Sequence, residues 1–152
     1  MAVFQELKAR LNDNENAPIT KQELILVRGA SGSGKSTFVK KNFPKYTHLE
    51  TDMYWYDDNG NYNFDPKQLP TAHQWCQKET RKNLEQGKNV IVSNTFIKKW
   101  EIQPYIDMAE QMGIPYQIYR LTTQFDNVHE VPEDVVKRMR NNIEPIDGEI
   151  VI

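Results

Sequence analysis

The chain has 152 residues, 38% of them hydrophobic and 26% charged, with a formal net charge of −2. This length accommodates one domain with its own core, and the composition excludes a disordered chain. The charge balance excludes a surface coated with Lys and Arg for gripping duplex DNA, while leaving room for a small basic pocket around one nucleic-acid end.

Met1 to Lys8 lacks the apolar stretch of a signal peptide, and no run approaches the ~18 apolar residues of a membrane span. Cys76 is the single cysteine, which excludes an intramolecular disulfide or a cysteine metal cluster and fits a cytoplasmic location. Residues 2–11 read as a short amphipathic helix with Val3, Phe4, Leu7 and Leu11 on one face, and Asn12 to Pro18 as a polar linker. Residues 19–152 then form the main domain. Glu23 to Arg28 is a short apolar run, the pattern of a buried parallel strand. After a glycine-rich turn, a helix is expected from Lys35 to Asn42, stopping before Pro44.

Tyr46 to Glu50 is a second, weaker strand. Met53 to Phe64 mixes aromatics with turn residues, and Asp57-Asp58-Asn59-Gly60 is its tightest turn signal. A helix should start at Asp65-Pro66 or at Pro70 and run to Gln86, with Gly87 as its stop and Cys76 buried on it. Asn89 to Ser93 is another buried strand, 99–112 a helix ending at Gly113, and 114–121 contains a further strand. Val131 to Asn142 is the last expected helix. This alternation predicts an α/β fold, a parallel sheet covered by helices on both faces.

The turn after the first strand carries the chemistry. Gly29-Ala30-Ser31-Gly32-Ser33-Gly34-Lys35-Ser36 matches the phosphate-loop pattern G-x-x-x-x-G-K-[ST] in full, after a strand and at the start of a helix. Gly29, Gly32 and Gly34 permit backbone conformations and close approaches that a Cβ would block. The amides of residues 31–36 can then point inward around the α- and β-phosphates, where the helix start adds partial positive charge. Lys35 can reach the β- and γ-phosphates as a mobile point charge. The Ser36 hydroxyl can ligate Mg²⁺, and Thr37 is placed to touch the α-phosphate. The expected ligand is a nucleoside triphosphate with magnesium.

Residues 24 to about 145 resemble the small P-loop kinase-like, AAA-type ATP-binding domains grouped with the kinase domain of phage polynucleotide kinase. Besides the loop, the resemblance is carried by Thr51-Asp52 after the second strand and by Asn63-Phe64-Asp65-Pro66. It continues through Ala72-His73-Gln74-Trp75-Cys76-Gln77-Lys78, Asn94-Thr95 after the third strand, Trp100-Glu101 and Pro104-Tyr105. It implies a three-layer P-loop kinase sandwich with ATP as the nucleotide. It also implies that Asp52 is the general base taking a proton from an acceptor hydroxyl, since phosphoryl transfer is mostly positioning and charge stabilisation.

Two departures stand out. Relatives often end the third strand in an aspartate that orders the magnesium shell; here Val92-Ser93-Asn94-Thr95-Phe96 has no carboxylate, which leaves Ser36, Asp52 and the phosphates for the metal. Relatives also carry arginines in a lid before the last helix. Here Thr122 to Val131 has neither Lys nor Arg, so the remaining candidates are Arg120, Lys137, Arg138 and Arg140, with Arg138 counted among the nucleotide-binding residues. Losing a lid arginine costs a factor of about 10³ or more in rate. His129 in this stretch, like His48 and His73, shows no metal-ligand spacing.

Tyr54, Trp55, Tyr56, Tyr62 and Phe64 follow Asp52 and either stack an acceptor nucleobase or pack against the sheet. Asp57, Asp58 and Asp65 disfavour a long phosphate track there, and Trp55 stands where a polynucleotide-end kinase would place a basic residue. The leading expectation is an ATP-dependent kinase acting on a hydroxyl of a nucleic-acid end, nucleotide or small metabolite. The competing one is a nucleotide-binding regulator or slow hydrolase completed by a partner protein.

Overall fold

A computed structural model describes residues 22–125 and 131–152. The expected N-terminal helix, its linker and His129 lie outside the described residues. The elements run β1 (Leu24–Arg28), α1 (Lys35–Asn42), β2 (Thr47–Leu49), α2 (Leu69–Glu85), β3 (Val90–Ser93), α3 (Lys99–Gln111), β4 (Tyr116–Arg120), α4 (Glu133–Asn142) and β5 (Ile150–Val151). Two short 3₁₀ turns, Thr51–Trp55 and Pro66–Gln68, link β2 to α2.

All strand pairs are parallel, in the order β2-β3-β1-β4-β5. Alternation along the strands divides the core. Leu24, Leu26, Val90, Val92 and Ile118 face α2 and α3, where they pack with Cys76, Leu84, Ile102, Tyr105, Ile106 and Ala109. Ile25, Val27, Ile91 and Tyr119 face α1 and pack with Val39, Phe43 and Tyr46. This is the expected three-layer sandwich, and each fully buried Leu, Ile or Val contributes roughly 1.5–3 kcal/mol. β1 is buried at all five positions because it lies at the centre of the sheet with helices on both sides. Gly87 and Gly113, at φ 80° and 66°, follow α2 and α3 in the left-handed conformation that ends a helix. Among the described residues no helix is long and apolar enough to cross a membrane.

The expected helix after Asp65 begins as a 3₁₀ turn, because the Asp65 side chain accepts from the Lys67 amide and Pro66 and Pro70 each lack a donor. The last helix starts at Glu133, two residues later than expected, with Pro132 before it. β5 was not expected at all. It joins β4 through Tyr119↔Ile150 and Arg120↔Val151, and its position depends on charge. Fully buried Arg28 meets Glu149 Oε1 at 3.1 Å, and Arg120 Nε meets Glu149 Oε2 at 3.1 Å.

Arg28 also donates to the carbonyls of Phe96, Ile97 and Glu144. It thereby braces the turn after β3, where Phe96 has φ 45°, a conformation that L residues with side chains rarely adopt. Because the strands are parallel, their carboxyl ends share one edge, and the functional groups gather there.

Candidate nucleotide and metal site

The loop from Gly29 to Ser36 joins the carboxyl end of β1 to the first turn of α1. Gly32 and Gly34 have φ 81° and 85°. A Cβ on Gly29 would lie 2.5 Å from Ser33 Oγ and 2.9 Å from the Leu121 carbonyl, so that position also needs glycine. α1 has no side-chain N-cap and no acidic residue in its first turn. Its first amides and the positive end of its dipole are therefore left to the loop. The buried Ser33 hydroxyl has no hydrogen-bond partner among the described residues. These features fit a bound phosphate chain.

Lys35 turns back across the loop and donates to the carbonyls of Gly29 and Ala30, at 3.0 Å each. Burial pulls its pKa down to about 8, and the negative charges of Glu50 and Asp52 oppose that shift. The lysine and both carboxylates therefore share one electrostatic neighbourhood.

The facing wall comes from the ends of β2 and β3. The Leu49↔Val92 register places Glu50 beside Ser93. Glu50 Oε1 accepts from the Ser36 hydroxyl at 2.6 Å and the Ser93 hydroxyl at 2.9 Å, and His48 Nε2 lies 3.1 Å away. Burial pushes the Glu50 carboxyl up, but His48, Ser36 and Ser93 outweigh it and hold the pKa at about 2. No motif marks Glu50 in the sequence. The available signal was an acid at the carboxyl end of a strand, two residues before Asp52.

Asp52 lies exposed in the 3₁₀ turn after β2. Asn94 Oδ1 accepts from the Thr51 amide at 2.9 Å, while the Asn94 amide donates to Val27 at 3.2 Å. Asn94 thus ties the turn carrying Asp52 to the end of β1. Ser36 and Glu50 offer hard oxygen donors to a magnesium ion. Among the described residues no cluster of three acidic, His or Cys side chains exists that would hold a metal without help.

The cationic candidates separate. Arg120 is engaged with Glu149, and with Lys137 and Arg140 it lines a cavity of about 330 Å³ beside Ala30 and Ser33. Arg138 sits on the other flank of α4, in a shallow cleft with Ile97, Lys98 and Met139. Its side chain is 70% exposed and only 3.8 Å from Asp134, a weak pair. Between these flanks, the Ser31 hydroxyl meets Met139 Sδ at 3.7 Å. Thr122 to Phe125, the described part of the expected lid, folds over the loop: the Phe125 amide donates to Gly32 at 2.7 Å, and Gln124 Nε2 to Ser31 at 3.2 Å. Thr37 follows Ser36 within α1.

The aromatic segment does two things. Trp55 is buried and packs with Tyr54 and Phe64 at 5.2 and 5.0 Å, and Tyr54 continues to Trp75 at 5.9 Å. Tyr56 and Tyr62 pair at 5.2 Å and, like Phe64, stay at least half exposed. Burial and then the Asp52 charge raise the Tyr62 pKa, which places this ring within the carboxylate's field. Asp57 organises the turn between the tyrosines by accepting from the Asn59 and Asn61 amides at 2.9 Å each.

A family model described as "AAA domain" matches residues 24–146. A Pasteurella multocida protein (uncharacterized protein PM0531) is 30% identical over 86% of this chain and 83% of its own length. Human NEDD4-binding protein 2 is 37% identical over 58% of this chain, which spans 5% of that protein. A putative bifunctional polynucleotide kinase/RNA ligase of Autographa californica nuclear polyhedrosis virus is 30% identical over 80% of this chain and 19% of its length. Among solved structures, a chain of the Pnkp1/Rnl/Hen1 complex aligns with TM-score 0.63 at 19% identity, covering 88% of this chain and 46% of that one. The Mycobacterium tuberculosis APS kinase CysC in complex with AMPPNP and APS aligns with TM-score 0.61 at 13% identity, covering 87% and 88%. The fold is that of the P-loop kinases, and the chain belongs to the AAA domain family of P-loop kinase-like proteins.

Proposed function

We propose that the protein is an ATP-dependent phosphotransferase that moves the γ-phosphate to a hydroxyl on an acceptor bearing a nucleobase, either a polynucleotide end or a nucleotide. The observation that carries this reading is one of placement: the phosphate loop follows β1 and the turn bearing Asp52 follows β2 at the same edge of the parallel sheet, and Asn94 ties that turn to the end of β1. In this reading the loop of Gly29, Ala30, Ser31, Gly32, Ser33, Gly34, Lys35 and Ser36 wraps the phosphates, with the amides of residues 31–36 cradling them and Thr37 touching the α-phosphate. Lys35 neutralises the β- and γ-oxygens, and Ser36 holds magnesium, which supplies charge stabilisation when bound. Asp52 orients the acceptor hydroxyl and takes its proton.

Lys137 and Arg140 share a cavity with Ala30 and Ser33 of the loop, whereas Arg138, the arginine counted among the nucleotide-binding residues, does not. It is free of the buried Arg28–Glu149–Arg120 network and shares its cleft with Ile97 and Lys98, just beyond the carboxyl end of β3. The cavity lined by Arg120, Lys137 and Arg140 suits the nucleotide's base and ribose. Exposed Tyr56, Tyr62 and Phe64 favour a nucleobase acceptor over a sugar, because aromatic faces stack bases at roughly 1–3 kcal/mol each. Similarity to the viral polynucleotide kinase/RNA ligase supports the same choice.

The test is incubation with γ-labelled ATP and magnesium, with and without hydroxyl-ended oligonucleotides or nucleosides. Label on the acceptor, lost in Asp52→Asn while nucleotide binding persists, supports transfer. A second reading, a nucleotide binder or slow hydrolase without an acceptor, is favoured by the strap from Thr122 to Phe125, which covers the loop without a cationic side chain. Free labelled phosphate with no labelled acceptor supports that reading instead.

A further inference from the structure

β3 ends in Ser93 and brings no carboxylate to the phosphate loop. The adjacent strand does. The hydroxyls of Ser36 and Ser93 and the imidazole of His48 all meet Glu50, and all three contacts fall on Oε1. This locks the carboxylate in one orientation and leaves Oε2 outside the set. The arrangement is specific to the sheet register: one residue of slippage between β2 and β3 would turn Glu50 to the other face.

We infer that Glu50, at the carboxyl end of β2, is the acidic member of the magnesium site, placing its charge where β3 supplies only the Ser93 hydroxyl. The inference rests on the nucleotide-binding reading above and adds a residue to it. A serine hydroxyl has one proton and two lone pairs. With the proton donated to Glu50, the Ser36 lone pairs remain for the cation. Glu50 would supply the negative charge beside the cation, with Oε2 as an acceptor for water, which Mg²⁺ releases reluctantly. Ser93 and His48 are positioning residues that hold the carboxylate. Among the described residues the Ser36 hydroxyl donates to Glu50, and Asp52 keeps the acceptor role of the reading above. The competing account is a tether: Glu50 simply joins β2 to β3 and α1, with no dependence on metal.

The test uses the full chain and two readouts independent of turnover. One is ATP affinity by calorimetry in magnesium and in chelator. The other is the electron paramagnetic resonance spectrum of Mn²⁺ with ATP and protein. Glu50→Gln is expected to keep its affinity for metal-free ATP, to lose roughly 10–100-fold in metal affinity and to weaken the protein-bound Mn²⁺ signal. Asp52→Asn should keep both. The double variant Glu50→Gln/Ser93→Asp should regain the metal effect by returning a carboxylate to the same spot from β3.

An undiminished metal effect in Glu50→Gln overturns the inference, and so does an equal loss of metal-free and metal-bound affinity, the result a tether predicts. If Glu50→Gln fails to fold, Glu50→Asp is read in its place: the charge is kept but withdrawn by one methylene. A weakened metal effect then supports the inference, and an unchanged one overturns it. Wild-type protein that binds ATP in neither condition removes the nucleotide reading and this inference together. A metal effect that is present but indifferent to Glu50 removes the inference alone.

Discussion

The wall formed by residues 29–36 is contiguous in sequence, whereas the facing wall draws Glu50 and Asp52 from one chain segment and Ser93 and Asn94 from another. The first needs a local backbone shape, set by Gly32 and Gly34 in the left-handed region and by the start of α1. The second exists only when β2 and β3 pair in the observed register. A phosphate cradle can therefore form from eight residues, while the groups that would direct its chemistry depend on the whole sheet. Substitutions in the two walls should accordingly fail in different ways.

The largest separation is expected from Asp52→Asn. Its nucleotide affinity should stay near wild type while transfer falls by roughly 10²–10⁴-fold, the usual worth of a general base. Parallel calorimetry and label transfer check this, and retained transfer would remove the base role. Next comes the brace behind the second wall. Arg28→Met leaves Glu149 and the Phe96, Ile97 and Glu144 carbonyls without their buried partner and should cost about 3–5 kcal/mol, read by chemical denaturation. A loss below 1 kcal/mol would show that the turn after β3 holds without it.

In the first wall, Lys35→Ala should weaken ATP binding by about 1.5–3 kcal/mol through loss of charged hydrogen bonds, with little effect on folding. The same lysine predicts a pH dependence. Its pKa is about 8 in the free protein, and phosphate oxygens would raise it. Binding above pH 8 should therefore take up a proton, and affinity should fall as pH rises, by up to about tenfold per unit. Calorimetry in buffers of different ionisation enthalpy reads the uptake directly; none at pH 9 would contradict it. The smallest effect is expected from Tyr62→Ala. It should weaken a base-bearing acceptor by about 1–3 kcal/mol without changing ATP affinity. An equal effect on both ligands would place the ring at the nucleotide instead.

Much of the frame was legible because its signals are local. Apolar runs at 23–28 and 89–93 became the central strands, Gly87 and Gly113 end their helices, and Cys76 is buried on α2. β5 was not legible. Ile150–Val151 is too short to carry a pattern, and its place follows from Glu149 meeting Arg28 and Arg120, residues distant in sequence. The aromatic segment after Asp52 left two uses open, and packing divided it: Trp55 turned inward, while Tyr56, Tyr62 and Phe64 stayed out. The four cationic candidates were equivalent as letters. Glu149 engages Arg120, and α4 places Arg140 in the cavity beside Ala30 and Ser33 but Arg138 in a separate cleft with Ile97 and Lys98.

The sequence by itself determined the phosphate loop and the layered parallel fold, because glycine conformation, helix start and strand burial are properties of short segments. Only the tertiary structure decided which carboxylate stands against Ser36. The residues beside the loop offered no acid on β3, and nothing within β2 singles out Glu50. Its role arises where two parallel strands end side by side, bringing Glu50 and Ser93 together across 43 residues of chain. Sequence spacing carries no trace of a contact that strand register creates.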